Sequence, residues 1–345
     1  MKILGIESSC DDTSVALLDI TDTHINILAE KTASQIDIHK KYGGVVPEVA
    51  GRAHAEQIIP VIEEVLKDHP KPDVIAVTSG PGLITGLVVG VEVAKTLSML
   101  WNVPLIGVNH IEGHIHSIKL NEIPKHRKPE LPALCAIVSG GHTALILMKA
   151  EGVYELIGTT RDDAAGEAFD KAAKMLGLLY PGGPKISKHG AMGNPKAIAF
   201  PRPMMNSDNY DFSFSGLKTA ALYWLQDNAT EKDGTFSIKS DAELNDFCAS
   251  YEQAIIDVLV KKSLKAAKEY KARSFILAGG VSANKKLREA LTTSMKDIPV
   301  YLSPLSHAMD NAAMIAVAAY HQAKAGEVTP WNEVEANPNW RVWNT

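Results

Sequence analysis

Cysteine is scarce. The three in 345 residues (Cys10, Cys135, Cys248) are odd in number, far apart and without a C-x-x-C pair, which excludes a disulfide framework and a thiolate zinc cluster. Free thiols in a reducing compartment are expected. A charge excess is missing too: 35 Lys+Arg face 40 Asp+Glu, a formal charge of −5. The largest basic clusters, Lys125 to Lys128 and the stretch from Lys261 to Arg273, are short. Composition therefore gives no nucleic-acid footprint, and an RNA substrate would be held on only part of the surface. No stretch reaches the roughly 18 uninterrupted apolar residues of a membrane span. The strand-like run Lys2 to Ile6 meets Glu7 at once, leaving no apolar leader core. These lacks lead us to expect a cytoplasmic protein with no membrane partner.

What is present is ordinary globular composition, 46% apolar and 22% charged. The chain exceeds the length, about 250 to 300 residues, at which single cores divide, so two lobes are expected. Two segments share a strand, a small polar turn and a returning strand: KILGIE-SSCDDT-SVALLD at the start and LPALCAIV-SGGHT-ALILMK from Leu131. Each leads into α/β material. Short apolar strands are expected at Val74 to Ser79, Leu105 to Val108 and Ser274 to Gly280. Helical patterns run over Arg52 to Lys67, Gly86 to Leu100, Asp163 to Leu178, Ala242 to Tyr270 and Asn284 to Leu291. Similar halves suggest duplication. The expected division is a first lobe over 1–120, a proline-rich linker over 121–132 and a second lobe over 133–323. The tail 324–345, which holds Trp331, Trp340 and Trp343, is expected to fold back on the first lobe. The proline- and glycine-rich stretch from Tyr180 to Asp211 reads as a long substrate-facing loop.

In NHIEGHIHS, His110 and His114 stand i, i+4, so on a helix both imidazoles project from one face. Chance alone supplies about 0.4 such pairs for this histidine content, so the pair carries only even odds of being a metal site. Asp310, in SHAMDNAA, offers a carboxylate to complete an N,N,O set, although an acid before a helix is also a routine N-cap. Two histidines and a carboxylate with open positions suit non-haem iron(II) and are tolerated by zinc. Glu112 lies two residues after His110, one past the position that would make H-E-x-x-H, which disfavours a protease of that type.

Paired glycines follow apolar strands in IVSGGHT (Ile137 to Thr143) and LAGGVSAN (Leu277 to Asn284), where backbone N–H groups can approach an anionic or planar ligand. Neither is a P-loop or a G-x-G-x-x-G fingerprint. Gly80, Gly82, Gly86 and Gly90 read as a surface for close helix packing. Among the acids, Asp162 and Asp163 read as first-turn partners of a helix dipole. Asp170 sits mid-helix with no capping role in view, and a solvated pairing with Lys174 is its bland reading.

The blocks GIESSCDDTSVALLD, GVNHIEGHIHS, IVSGGHTALI, DDAAGEAFDKAAKMLGLLYPGG, FSFSGLKTA, LAGGVSANKKLRE and DNAA, in this order over nearly the whole chain, resemble the signatures of the bacterial TsaD family. This is a branch of the Kae/Qri/YgjD group, once called O-sialoglycoprotein endopeptidase. The resemblance implies an α/β duplicated fold of the actin-like, acetate and sugar kinase and Hsp70 (ASKHA) type, two lobes with a central cleft. It implies transfer of threonylcarbamoyl from threonylcarbamoyl-AMP to N6 of adenosine 37, next to the anticodon, in tRNAs reading codons that begin with adenine, with release of AMP.

Carried over block by block, it makes His110, His114 and Asp310 the ligands of one divalent metal, Fe(II) first and Zn as the alternative. Ile137, Val138, Ser139, Gly140, Gly141, Asp170, Gly183 and Asn284 would hold an adenine nucleotide (threonylcarbamoyl-AMP, ATP or ADP, with or without Mg), and Asp11 would be an acid near the reacting groups. It also implies partners: TsaB as a heterodimer, the ATPase TsaE, and a TsaC or Sua-type enzyme supplying the adenylate, besides the tRNA substrate. One departure is local. The family often has Cys-Thr before the metal-binding Asp, where this chain has Ala308-Met309, which puts supporting polar contacts in question rather than the ligand. Two rivals remain on the residues alone: a metallo-glycopeptidase, and a non-enzymatic nucleotide-binding module.

Overall fold

The structure is a computed structural model and describes residues 1–120 and 128–344. Much of the expected linker, with Lys125, His126 and Arg127, lies outside the described residues. The chain divides into two compact units: Met1–Lys128 together with Ser303–Thr345, and Pro129–Leu302.

In the first unit, β1 (Lys2–Glu7), β2 (Asp12–Ile20) and β3 (Ile25–Ser34) form an antiparallel meander, followed by α1 (Ile36–His39) and α2 (Pro47–Leu66). Next come β4 (Val74–Gly80), α3 (Ile84–Trp101), β5 (Leu105–Asn109) and α4 (His110–His116). The sheet order is β3-β2-β1-β4-β5, with β4 and β5 parallel to β1. β1 and β2 read as near-continuous apolar runs because they are buried along almost their whole length, as strands covered on both faces must be. β3 is an edge strand with a half-exposed, mixed sequence, which is why periodicity did not reveal it.

The second unit repeats this plan. β6 (Ala133–Val138), β7 (Thr143–Ala150) and β8 (Val153–Thr159) form the meander, and helices α5 (Ala165–Met175), α6 (Gly182–Gly190) and α7 (Ser215–Asn228) follow. A small ribbon, β9 (Ala229–Lys232) with β10 (Thr235–Ile238), precedes α8 (Asp241–Glu269), β11 (Ser274–Ala278), α9 (Lys285–Ser294) and β12 (Val300–Leu302). The order β8-β7-β6-β11-β12 matches the first sheet strand for strand, including the parallel pairs. The core of this unit gathers around Phe169, Phe247, Tyr251 and Phe275, all essentially buried.

The last helix, α10 (Ala312–Ala325), returns to the first unit and sets the second boundary at 302/303 rather than after residue 323. Its segment AAMIAVAA is buried on all sides, the mark of a core helix. It lies so close to the sheet that a Cβ on Gly5 would fall on the Ala312 carbonyl oxygen, and one on Gly113 would come 2.8 Å from Ile315 Cδ1. In the tail, Asn337 N donates to Ser79 O (2.7 Å), and Val334 and Val342 are buried. The glycine stripe of α3 packs under the β1–β2 turn, where Ser8 Oγ donates to Gly86 O (3.0 Å) and a Cβ on Gly90 would meet Ser8 Oγ. By length and hydropathy α3 could cross a membrane. Here its Gly86, Leu87, Gly90, Val91 and Ala94 are buried against neighbouring elements, while Ile84, Val88, Met99 and Leu100 are exposed.

Two expectations are corrected in the second unit. The stretch 180–211 contains the helix α6 and is not one long loop. Asp162 does not serve the dipole of α5: its carboxylate accepts from Phe214 N (2.8 Å), Ser215 N (3.2 Å), Ser213 Oγ (2.5 Å) and Ser215 Oγ (2.6 Å), capping α7 from a distant loop. Burial opposes its ionised form, but these hydrogen bonds outweigh it and hold the carboxyl below its ordinary value. Asp162→Ala leaves those N–H groups without their acceptor, and a lost cap costs about 1 kcal/mol. A fall of about 2–4 °C in thermal midpoint is expected by calorimetry.

Candidate metal centre

His110 opens α4 and His114 lies one turn on, each at most 4% exposed. The helix starts there because the side chain of Asn109 accepts from Ile111 N (2.9 Å) as its N-cap. Asp310 sits just before α10. The helix is capped by its neighbour, since Asn311 Oδ1 accepts from Met314 N (2.9 Å). The capping explanation for Asp310 therefore falls away, and its carboxylate turns to the histidines: Oδ1 is 3.2 Å from His114 Nε2 and 3.6 Å from His110 Nε2. The two rings meet edge to face with centroids 4.6 Å apart. One ligand atom from each of the three residues lies within 4.8 Å of the other two.

The donor set fits a metal. Two imidazoles and a carboxylate are ligands that iron(II) and zinc share. Both ring nitrogens of His114 are buried, and neither has a hydrogen-bond partner among the described residues; its approach to Asp310 is close without hydrogen-bond geometry. An orphaned buried imidazole is costly, and an ion between the three side chains would engage one of its two nitrogens and reduce that cost.

Charge around the site is concentrated. Burial works against protonated His110, but the Glu7 and Asp310 carboxylates and the Glu7 hydrogen bond overcome it and hold the ring at about 9. Burial also pushes Asp12 up to about 7, with Asp11, Asp310 and Glu7 adding to the shift and a Ser34 hydrogen bond opposing it. Burial, Asp11 and Asp310 raise the Cys10 thiol, so it is not a poised thiolate. The stabilisation from His110 is complete below its ordinary value of 6.5 and lost as pH rises through about 9. That from Asp12 is complete below 3.8 and lost as pH rises through about 7. Both losses run the same way, whereas burial lowers His39, His54 and His116 and their opposite contribution is complete by about pH 7, so the thermal midpoint of the metal-free protein is expected to fall between pH 7 and pH 9. A midpoint that rises over that range contradicts this.

The other expected residues are placed as follows. Asp11 lies in the β1–β2 turn, where its carbonyl accepts from Gln35 N (2.9 Å). The remaining residues belong to the second unit. Ile137 and Val138 are buried in β6, so only their backbone is available to a ligand. Ser139 closes the turn, its Oγ accepting from His142 N (3.1 Å). Beside Gly140 and Gly141 the space for a Cβ is open. Asp170 has a capping role after all, accepting from Gly182 N (2.7 Å) at the start of α6, with Gly183 next to it. Asn284 caps α9 through Oδ1 to Leu287 N (2.9 Å), while its Nδ2 donates to Glu252 Oε1 (2.7 Å) and Ser187 Oγ (3.0 Å).

Sequence reasoning missed the role of Glu7, which is fully buried and 2.9 Å from His110 Nδ1. An acid ending a buried apolar strand was the available signal. It also missed the buried pair Thr13 and His54, joined at 2.7 Å.

Comparison with known proteins bears on this geometry. A family model described as TsaD, tRNA N6-adenosine threonylcarbamoyltransferase, matches residues 26–317. A protein of that name from Anaeromyxobacter dehalogenans (strain 2CP-C) is 44% identical over 99% of both chains. Another, from Thermosipho africanus, is 45% identical over 99% of this chain and 100% of its own. Among solved structures, T. kodakarensis HypF shares the fold with a TM-score of 0.60 at 12% identity, covering 94% of this chain and 48% of that one. The matched span takes in both histidines and Asp310, and on these grounds the chain belongs to the TsaD family of tRNA N6-adenosine threonylcarbamoyltransferases.

Proposed function

We propose that the transfer characteristic of this family is carried out here with His110, His114 and Asp310 holding one divalent ion, Fe(II) in first place and Zn as the alternative. The acceptor is N6 of adenosine 37 in tRNAs that read codons beginning with adenine, and the donor is threonylcarbamoyl-AMP. The observation that carries the reading is the meeting of those three side chains within 4.8 Å, with both nitrogens of His114 left without hydrogen bonds among the described residues. An ion bound there would supply Lewis acidity to a carbonyl beside it.

The rest falls to the chain. The exocyclic amine of adenosine is a weak nucleophile and AMP a good leaving group, so orientation and charge stabilisation must supply the rate. The N6–carbon bond forms while the bond from the carbamoyl carbon to the phosphate oxygen breaks, AMP leaving with that electron pair. N6 gives up one proton, for which we assign Asp11 as acceptor. The backbone from Ile137 to Gly141, with Gly183 and Asn284, is assigned to the adenylate (or to ATP or ADP, with or without Mg). The open space beside Gly140 and Gly141 supports this assignment, and Asp170 steadies the neighbouring start of α6. The repeated sheet order supports the actin-like, acetate and sugar kinase and Hsp70 fold type.

On the same family grounds the chain works in the cytoplasm with TsaB and TsaE, on adenylate from a TsaC or Sua-type enzyme. A formal charge of −5 suits a protein that shares tRNA presentation with a partner. The glycopeptidase reading is disfavoured: Glu112 is directed towards His116, 3.9 Å away on its own helix, and is not placed as a zincin base. The test is nucleoside analysis of tRNA after incubation with threonine, bicarbonate, ATP and the partner proteins, with and without this chain. Threonylcarbamoyladenosine should form only with the chain present, and a sialoglycoprotein in a parallel reaction should stay intact. Cleavage without nucleoside product would overturn the reading.

A further inference from the structure

We infer that Glu7 is a positioning residue of the metal centre, fixing which nitrogen His110 presents to the ion. The inference rests on the reading of His110, His114 and Asp310 as ligands.

Glu7 ends β1 with its side chain wholly enclosed. Its Oε1 accepts from Ser9 N (2.6 Å), and its Oε2 accepts from Thr78 Oγ1 (2.7 Å). The same Oε2 lies 2.9 Å from His110 Nδ1. A carboxylate surrounded by donors is ionised and can only accept, so Nδ1 of His110 must carry the hydrogen. Ser9 Oγ, 3.1 Å from the same nitrogen, is then a second acceptor. When the ring gives up a proton to bind an ion, as a metal ligand must, the proton that remains is the one on Nδ1, and the lone pair is left on Nε2, the nitrogen that faces Asp310 at 3.6 Å. This is the carboxylate–histidine–metal arrangement found where a ligand's tautomer and basicity are set from behind. His114 has no such support among the described residues, so Glu7 acts on one side of the site only.

The arrangement also counts charge. Asp310 and Glu7 set carboxylates beside the two imidazoles, with Asp11 and Asp12 close enough to add to the field, and a divalent ion would offset part of that charge. A buried charge left over would be costly.

Glu7→Gln keeps the shape and an acceptor for Nδ1–H but removes the charge. The full chain, stripped of metal, is titrated with Zn(II) against a chromophoric chelator, and its thermal midpoint is measured in the same metal-free state. Zn(II) affinity in Glu7→Gln is expected to fall about 10–100-fold, with a lower metal-free midpoint as well, because the amide NH2 must face either Ser9 N or the Thr78 and His110 donors. Equal affinity in the two proteins overturns the role of Glu7 alone, whereas a wild type that binds no Zn(II) overturns the ligand reading beneath it. A second measurement needs no variant. Nitrogen NMR of the Zn(II)-loaded wild type should show His110 with Nε2 metallated and a hydrogen-bonded Nδ1–H. Metal on Nδ1 overturns the inference.

Discussion

Asp310→Ala is expected to leave a folded protein that has lost both its metal and its transfer activity. The folded half of that expectation follows from the cap. Asn311 takes the Met314 N–H and also donates through Nδ2 to the carbonyls of His307 (3.1 Å) and Met309 (2.8 Å). The loop and the start of α10 therefore do not depend on the Asp310 side chain. The functional half follows from ligand count: two imidazoles remain, one of them without any hydrogen bond among the described residues. Partners that merely support a metal ligand are worth about 10–100-fold in affinity or activity, so removal of a ligand should cost at least about 100-fold in both. Metal analysis and single-turnover transfer by the purified variant check it, with circular dichroism as the control for folding.

Gly5→Val should have the largest structural effect. Any Cβ at this position falls on the Ala312 carbonyl oxygen and lies about 3.1–3.2 Å from Ala312 C and Ala316 N. These are backbone atoms of a buried helix and cannot rotate away. To admit the side chain, α10 must move off β1, opening the core formed by Ile3, Ala16, Val108, Met314 and Val317. Overpacking of a dense core costs about 1–3 kcal/mol and more where backbone must shift, so about 3 kcal/mol or more is expected by denaturant unfolding. Asp310 lies two residues before α10, and metal affinity should fall with stability. A variant as stable as the wild type would show that α10 is not seated as described.

The two effects illustrate what a linear sequence reveals. The i, i+4 spacing of His110 and His114 is a local geometric fact once α4 forms, and it was readable directly. The convergence of Asp310, some 200 residues away, was not: spacing alone left it between a ligand and an N-cap. Family resemblance favoured the ligand, and the position of Asn311 in the structure resolved the cap. Strands buried on both faces, such as β1 and β6, announced themselves as apolar runs, whereas the edge strands β3 and β8 carry mixed residues and passed unnoticed.

Long-range capping was invisible for the same reason. Asp162 and Asp170 each serve a helix other than the one beside them in sequence, so a rule based on first-turn acids misassigned the first and found nothing for the second. The boundary after residue 302 was missed because α10 has the composition of any apolar helix, and only its packing on Gly5 and Gly113 shows which unit it completes.

The most direct test is anomalous diffraction at the metal edge from crystals of the chain loaded with one equivalent of Zn(II) or Fe(II). One ion should lie between His110 Nε2, a nitrogen of His114 and a carboxylate oxygen of Asp310, at about 2.0–2.2 Å from each. An ion bound elsewhere, with these three side chains still turned only towards one another, would contradict the account.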